Sequence, residues 1–236
     1  MTPRTIALVG MDGSGKTTQA HRLAEELSAS GLRASYRRNA GGRHWFGRLA
    51  TRVGKRDGDD LLGRRGMLFV ESVLRWLAIL RTLLRRSITG GTVVMDRYAF
   101  CQYASLRARD AAPAAERRAR LAYHFFPQPD VTFLLDVTPE VAHERIEARG
   151  YDSETMEYLT AARAAYHSLP EFADFVVIDA DGSPDQVIAA LHAELRRRAT
   201  RPEPGPHPLT RGLILAGGGT VVAALATAGY QIAETL

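Results

Sequence analysis

The sequence predicts an α/β protein, a doubly wound parallel sheet of five strands with helices on both faces. Five short apolar segments recur along the chain, each bounded by glycine, proline or polar residues, as expected of buried parallel strands. The segments between them carry apolar residues at helical spacing. Strands that alternate with helices in this way form a parallel sheet covered on both sides.

The first predicted unit is a strand, a glycine-rich turn and a helix. The strand is Thr5–Val9, and the helix runs over 18–30 with its apolar residues on one side. Between them, residues 10–17 match the pattern G-x-x-x-x-G-K-[ST] at every fixed position. In such a loop the backbone N–H groups surround phosphates, Lys16 reaches the β- and γ-phosphates and the Thr17 hydroxyl ligates Mg²⁺. The unit predicts a P-loop fold that binds a nucleoside triphosphate.

The other elements follow in order. Gly31 ends the first helix, a polar segment over 39–66 is predicted as a long functional loop, and a long amphipathic helix over 67–88 ends at Gly90. Further helices are predicted from about residue 99 to about 109, over 114–125 and from 139 to about 149. Another follows a polar break at 151–153 and ends at about 168, and the last runs from 184 to about 198. The remaining strands are predicted at Arg33–Arg38, Thr92–Met95, Val131–Leu135 and Phe175–Ile178.

Asp96 and Arg97 directly follow the third strand. Ligands of open α/β sheets bind outside the carboxyl ends of the strands, so an acid and an arginine at this position are candidate site residues.

Composition restricts the class of partner. The net charge is +5, but 29 of the 31 basic residues are arginine, which together with many alanines is typical of GC-rich coding and of solvated surface groups. No arginine run alternates with aromatic residues, so nucleic-acid binding is not predicted. Cys101 is the single cysteine, which excludes an intrachain disulfide and fits a reducing compartment. The first strand begins so early that no signal peptide is expected, and a cytoplasmic location is predicted.

The C-terminal region differs from the rest. We predict a P-loop domain over 1–199, a proline-rich linker over 200–211 and an apolar helix over 212–234. Residues 212–233 carry no charge, and arginines precede them, so this helix is predicted to anchor the domain to the cytoplasmic face of a membrane. The alternative is a soluble helix of small residues that packs on the domain or on a partner.

Five motifs, in order along about residues 5–195, resemble the thymidylate kinase family of P-loop nucleoside monophosphate kinases. The phosphate loop with its inner Asp12 is similar to that family's loop. Residues 38–42 are similar to its arginine–glutamate–proline–glycine–glycine loop, with Asn39 and Ala40 in place of glutamate and proline. Residues 96–100, 129–140 and 177–180 resemble its later signatures.

The resemblance implies transfer of the γ-phosphoryl group of ATP, with Mg²⁺, to a nucleoside 5′-monophosphate, most simply dTMP. It implies that Asp96 holds the metal through water and that Arg97 and Arg38 bind the acceptor phosphate, with Arg37 an equal candidate for the second role. Asp12 meets the acceptor, Phe69 stacks on its base or packs in the core, and Arg149 covers ATP as a lid residue. Homodimers are common in the family. The donor set comprises Gly10, Met11, Asp12, Gly13, Ser14, Gly15, Lys16, Thr17 and Thr18.

The chain also departs from the family pattern. Val73 stands where relatives carry a base-reading arginine, and Arg75 is expected about 160° away around the helix. The lid after Arg149 is short and lacks an arginine that relatives use when their phosphate loop has none, so Arg145 or Arg149 is expected to substitute. A kinase for another nucleotide, nucleoside or specialised metabolite therefore stays open, as does a nucleotide-binding module with weak catalysis.

Overall fold

The structure is a computed structural model of the chain. It describes residues 3–39, 58–150 and 154–200; the side chains at 58–62, 64, 65, 67, 68 and 200 are excluded from the description.

The described residues contain one sheet of five parallel strands, as predicted. The spatial order is β2-β3-β1-β4-β5, and all four neighbouring pairs are parallel. The strands are β1 (Thr5–Val9), β2 (Ala34–Arg38), β3 (Thr92–Asp96), β4 (Val131–Asp136) and β5 (Val176–Asp179). β1, β3 and nearly all of β4 are buried, which is why these three read as continuous apolar runs. β2 and β5 lie at the edges and are more exposed.

Seven helices connect or follow the strands in the described part of the chain. They are α1 (Lys16–Ala29), α2 (Gly58–Thr89), α3 (Ala99–Ala108), α4 (Pro113–Tyr123), α5 (Pro139–Glu147), α6 (Met156–His167) and α7 (Pro184–Thr200), with a 3₁₀ turn at Pro170–Asp174. Prolines begin α4, α5 and α7, where the missing N–H costs nothing.

The start of α2 differs from the prediction. The helix begins at Gly58 rather than Met67, and its backbone is interrupted at Gly63, where φ is 69° and ψ is 156°. The polar residues before Met67 carry no helical apolar pattern, so the sequence indicated a loop there. Gly63 adopts this left-handed conformation without a Cβ penalty, and two helical segments can therefore join across it.

Strand order determines where the chain can bind a ligand. The connection from β1 goes to one side of the sheet, and β4 lies on the other side of β1, so the order reverses at β1. Leu8 of β1 is the register partner of Asp96 in β3, and Arg38 of β2 is also level with Asp96. The carboxyl ends of β1, β2 and β3 therefore lie side by side, at the kind of edge where doubly wound sheets bind ligands.

The chain divides into two compact units, Met1–Arg196 and Arg197–Leu236. The first contains the sheet. Of the second, the described residues are the last turn of α7. The predicted linker after Thr200 and the predicted anchor helix over 212–234 lie outside the described residues, so that organisation stays a prediction. Within the described ranges, no helix combines the length and the apolar character needed to cross a membrane.

Candidate active site

The phosphate loop joins β1 to α1 as predicted. Gly10, Gly13 and Gly15 all have positive φ angles, and Gly15 precedes the first residue of α1 in a left-handed conformation. This backbone directs the chain into the helix, whose first N–H groups have no partner within it and are free to bind an anion. Met11 and Ser14 are buried, whereas Thr18 is exposed in the first turn of α1.

Lys16 lies inside this loop, with 4% of its surface exposed. Its Nζ donates to the Met11 carbonyl oxygen at 2.5 Å and to Ser14 Oγ at 3.3 Å, and it lies 3.9 Å from an Asp12 oxygen. Burial, and after it the charge of Arg97, lowers the pKa of Lys16 to about 8. An incoming phosphate therefore meets a poorly solvated ammonium group at the centre of the loop.

Thr17 and Asp96 meet across the carboxyl ends of β1 and β3. Thr17 Oγ1 donates to Asp96 Oδ2 at 2.6 Å, and the Tyr36 hydroxyl donates to the same oxygen at 3.2 Å. Asp96 Oδ1 is buried and has no hydrogen-bond partner in the described part of the chain. Burial, followed by the Asp96 charge, raises the pKa of Tyr36 to about 12, so the phenol stays a donor. Tyr36 was not predicted as a site residue, because only the strand register shows that it faces Asp96.

Arg97 and Asp12 form the second pair of the site. Arg97 Nη2 donates to Asp12 Oδ1 at 2.5 Å. The Arg97 guanidinium holds the pKa of the Asp12 carboxyl well below its usual range, and Asp12 in turn raises the pKa of Arg97. Both groups are charged at neutral pH. Both were named from the sequence, and the structure brings them together.

Strand alternation separates Arg38 from Arg37. Arg38 shares a face of β2 with Tyr36, whose hydroxyl reaches Asp96, and its charge opposes the upward shift of the Tyr36 pKa. Arg37 points to the other face, where it lines a small cavity with Arg85 and Arg86. Arg38 is thus the arginine of this pair on the Asp96 side.

In this part of α2, Arg75 is buried, whereas Phe69 and Val73 are not. Val73 is partly exposed, and Phe69 is 49% exposed, so Phe69 does not pack in the core. Arg75 is 2% exposed instead. Its Nη1 donates to Gln102 Oε1 at 2.6 Å and its Nη2 to Glu71 Oε1 at 3.0 Å. Arg75 lies two residues after Val73, the position at which relatives carry the base-reading arginine. In this chain Arg75 is therefore on the buried side of α2 and Val73 is not.

Arg75 also lies within electrostatic reach of the phosphate loop. Its charge contributes to the lowered pKa of Asp12, after Arg97 and Lys16. Arg75 Nε is buried and has no hydrogen-bond partner among the described residues. Gln102, on α3, is also 2% exposed. Neither residue was assigned a role from the sequence. A buried guanidinium beside a buried amide is a set of donors and an acceptor suited to the edge of a base.

The two lid candidates are placed differently. Arg145 donates to the carbonyl oxygens of Ala180, Asp181 and Gly182, at 2.7, 2.9 and 2.8 Å, and so fastens α5 to the segment after β5. Arg149 is exposed at the end of α5, with Nε donating to the Arg145 carbonyl oxygen at 3.1 Å. Among the described residues, the structure does not bring Arg149 to Lys16 or Arg97. The rest of the short lid, residues 151–153, lies outside the described residues.

Comparison with known proteins agrees with this geometry. The family model described as thymidylate kinase matches residues 8–191. A probable thymidylate kinase of Archaeoglobus fulgidus is 34% identical over 165 residues, which cover 68% of this chain and 79% of the relative. The thymidylate kinase of Xanthomonas campestris pv. campestris (strain B100) is 34% identical over 197 residues, covering 80% of this chain and 81% of the relative. A probable thymidylate kinase of Methanosarcina acetivorans is 32% identical over 200 residues, which cover 81% of this chain and 94% of the relative.

Proposed function

The chain belongs to the thymidylate kinase family, and from this premise we propose that it transfers the γ-phosphoryl group of ATP to dTMP, forming dTDP and ADP. It is a nucleoside monophosphate kinase, a phosphotransferase. The observation that carries the proposal is the meeting of two pairs at one edge of the sheet. Thr17 with Asp96 serves the donor, and Arg97 with Asp12 serves the acceptor.

The donor phosphates bind in the phosphate loop. Lys16 exchanges its contacts with Met11 and Ser14 for the β- and γ-phosphate oxygens, which restore the solvation that burial has removed. The loop N–H groups and the N-terminus of α1 complete the site. Arg149 covers the nucleotide as the remaining lid arginine, because the guanidinium of Arg145 is engaged by three carbonyl oxygens.

The residues at Thr17 and Asp96 fit Mg²⁺. They present a hydroxyl and a carboxylate, which are hard oxygen ligands, and Asp96 Oδ1 is a buried acceptor without a partner among the described residues. Thr17 Oγ1 would ligate the ion directly, and Asp96 would hold it through water. Held there, the ion would supply positive charge that neutralises the donor phosphates.

The acceptor phosphate binds Arg97 and Arg38. Arg97 is held near the phosphate loop by Asp12, and a phosphate dianion competes with that carboxylate for the guanidinium. When the acceptor phosphate is bound, Arg97 lies between it and the γ-phosphate, where the guanidinium offsets charge that spreads over the transferred group. Asp12 is then released toward the acceptor's sugar. Such positioning accounts for most of the catalysis, since phosphoryl transfer needs little covalent work from the protein.

Arg75 and Gln102 support thymine as the base. The edge of thymine presents a carbonyl acceptor beside an N–H donor. A guanidinium whose Nε has no partner among the described residues, beside an amide oxygen, is complementary to that order. Cytosine presents the reverse order and would leave buried donors facing each other. Phe69, half-exposed and about 1.7 turns before Arg75 on α2, is available to cover the ring.

A panel of monophosphates tests the function. The purified full-length protein is incubated with ATP, Mg²⁺ and dTMP, dUMP, dCMP, dGMP or dAMP, and diphosphate formation is measured directly. We expect dTDP, with kcat/KM for dTMP at least about tenfold above that for dCMP. Lys16→Met should abolish the transfer, which excludes a contaminating kinase.

Two outcomes would contradict the proposal in different ways. Turnover of another acceptor without dTDP formation would assign a different kinase. ATP binding without transfer to any acceptor in the panel would favour the nucleotide-binding module.

An apolar stripe on α2 supports a homodimer. Its large hydrophobic side chains after Phe69 are spaced by about one or two turns and are exposed; they are Val73, Leu77, Leu84 and Ile88. We place a second copy of the chain on this stripe. Light scattering after size-exclusion chromatography should give a dimer, and Leu77→Glu should give a monomer. A wild-type monomer at micromolar concentration would contradict the assignment.

The proposed membrane tether rests on the sequence of residues 212–234. Full-length protein should sediment with membranes, and a chain that ends before Arg201 should stay in the supernatant. Recovery of the full-length protein without detergent would contradict the anchor.

A further inference from the structure

Asn39 follows β2 directly and is completely buried. Its backbone N–H donates to the Asp96 carbonyl oxygen at 3.0 Å. Its side-chain Nδ2 donates to the Arg97 carbonyl oxygen at 2.9 Å, and its Oδ1 accepts from Thr82 Oγ1 at 3.0 Å. Asn39 is thus hydrogen-bonded to Asp96, the last residue of β3, and to Arg97, which follows it.

Arg97 has an unusual backbone. Its φ is 80°, in the left-handed region that residues other than glycine rarely adopt and that persists only where surrounding contacts determine it. The Arg97 N–H donates to the Leu8 carbonyl oxygen at 3.1 Å, and the Arg97 carbonyl oxygen accepts from Asn39. Both peptide groups of Arg97 are therefore anchored, one to β1 and the other to Asn39. This anchored turn carries the guanidinium to Asp12 and the phosphate loop.

The chemistry of the contact requires an amide. A carbonyl oxygen can only accept, so the group facing Arg97 must be a donor, while the opposite end of the side chain must accept from the Thr82 hydroxyl. A carboxylate at this position could still accept from the Thr82 hydroxyl. Its other oxygen, however, would face the Arg97 carbonyl oxygen, and neither of these two oxygens can donate. The loop that this segment resembles carries a glutamate here, and an ionised glutamate has no donor to offer a carbonyl oxygen.

We propose that Asn39 is a positioning residue that holds Arg97 in its left-handed turn and thereby aims the guanidinium at the acceptor phosphate. The inference rests on the proposed role of Arg97 in binding that phosphate. Asn39 is completely buried and bonded to the Asp96 and Arg97 backbone, so its proposed effect is exerted through Arg97 and not by contact with a nucleotide.

Asn39→Asp tests the inference, because it keeps the size of the side chain and removes the donor. We expect kcat to fall about tenfold or more and KM for dTMP to rise severalfold, since misplacing a charge-neutralising group by a fraction of an ångström is costly. KM for ATP should stay within about twofold, because Lys16 and the phosphate loop are unaffected.

Gln19→Glu is the matched control. Gln19 is 2% exposed, and its Nε2 donates to the Pro184 carbonyl oxygen at 2.9 Å, so the change sets a buried carboxylate against a backbone carbonyl away from Arg97. Both variants should melt at lower temperature than the wild type. A loss of kcat in Asn39→Asp that Gln19→Glu reproduces would assign Asn39 a structural role only and overturn the inference.

A double-mutant cycle with Arg97→Ala separates positioning from general damage. If Asn39 acts through Arg97, adding Asn39→Asp to Arg97→Ala should not lower kcat further. Independent, multiplicative losses would overturn the inference, as would a folded Asn39→Asp protein with wild-type kcat and dTMP KM. Failure of the wild type to phosphorylate dTMP would instead contradict the proposed function, so the two failures are distinguishable.

Discussion

Gly13 faces the backbone of Ala142 so closely that a Cβ at residue 13 would lie 2.5 Å from the Ala142 carbonyl oxygen. The φ of Gly13 is 84°, which also disfavours any side chain. The phosphate loop therefore has no space for an arginine of its own at this position, and an arginine that neutralises the transferred phosphoryl group must come from another segment.

Gly13→Ala should damage the donor site. The new Cβ displaces α5 or opens the loop, so ATP affinity is expected to fall by about 100-fold. Gly31→Ala is the control, because Gly31 also has a positive φ, at 89°, but nothing lies within 4 Å of its Cβ position. That control should lose about 1 kcal/mol of stability and keep its ATP affinity. Equal ATP affinities in the two variants would contradict the steric argument.

Arg75→Lys should weaken acceptor binding selectively. Lysine keeps the positive charge beside Glu71 but loses the planar set of donors that reaches both Glu71 and Gln102. Steady-state kinetics should show KM for dTMP raised about tenfold, with KM for ATP unchanged. Arg85→Lys, an exposed change on the same helix, should leave both constants as in the wild type. An unchanged dTMP KM in Arg75→Lys would remove Arg75 from the base site.

Binding of ATP should take up protons near pH 8. Lys16 has a pKa of about 8 in the free protein, chiefly because it is buried, and phosphate oxygens favour its charged form. Affinity is therefore expected to fall as the pH rises above about 8, where Lys16 of the free protein loses its proton. Calorimetry at pH 8 in two buffers of different ionisation enthalpy should report uptake of about half a proton, and little uptake at pH 6.5. Equal heats in both buffers at pH 8 would contradict the lowered pKa.

Asp96→Asn should raise the requirement for Mg²⁺. The amide oxygen can still accept from Thr17 and Tyr36, so the fold is expected to persist, while the charge that attracts the hydrated ion is lost. The Mg²⁺ concentration for half-maximal rate should increase about tenfold, and a Mn²⁺ titration followed by magnetic resonance should show the same weakening.

Asp130→Asn is the matched change outside the site. The Asp130 carboxylate accepts from the backbone N–H groups of Arg4 and Thr5 at the start of β1. This variant should lose stability and keep its Mg²⁺ requirement. An unaltered Mg²⁺ dependence in Asp96→Asn would exclude Asp96 from metal binding.

The predictable part of the fold was the part with strong local patterns. Apolar strands bounded by turn residues identified β1 to β5 within one or two residues, and the fixed spacing of residues 10–17 identified the phosphate loop. The predicted start of α2 was wrong. The helix already begins at residue 58, in a segment that has no apolar residues at helical spacing and whose backbone is interrupted at Gly63. A helix can be predicted from local sequence when it buries one face, because apolar residues then recur at helical spacing. Residues 58–66 show no such spacing.

The sequence alone predicts the strand–loop–helix unit around Lys16, the five-stranded α/β class and the position of Asp96 and Arg97 at the carboxyl end of a strand. These features depend on neighbours along the chain. The folded structure is needed to show that Arg75 rather than residue 73 is buried, that Arg38 and not Arg37 shares the Asp96 side, and that Asn39 is bonded to Arg97. Each of these depends on strand register or on helix rotation, because the contacts join residues 27 to 60 positions apart in the chain, which local sequence patterns do not relate.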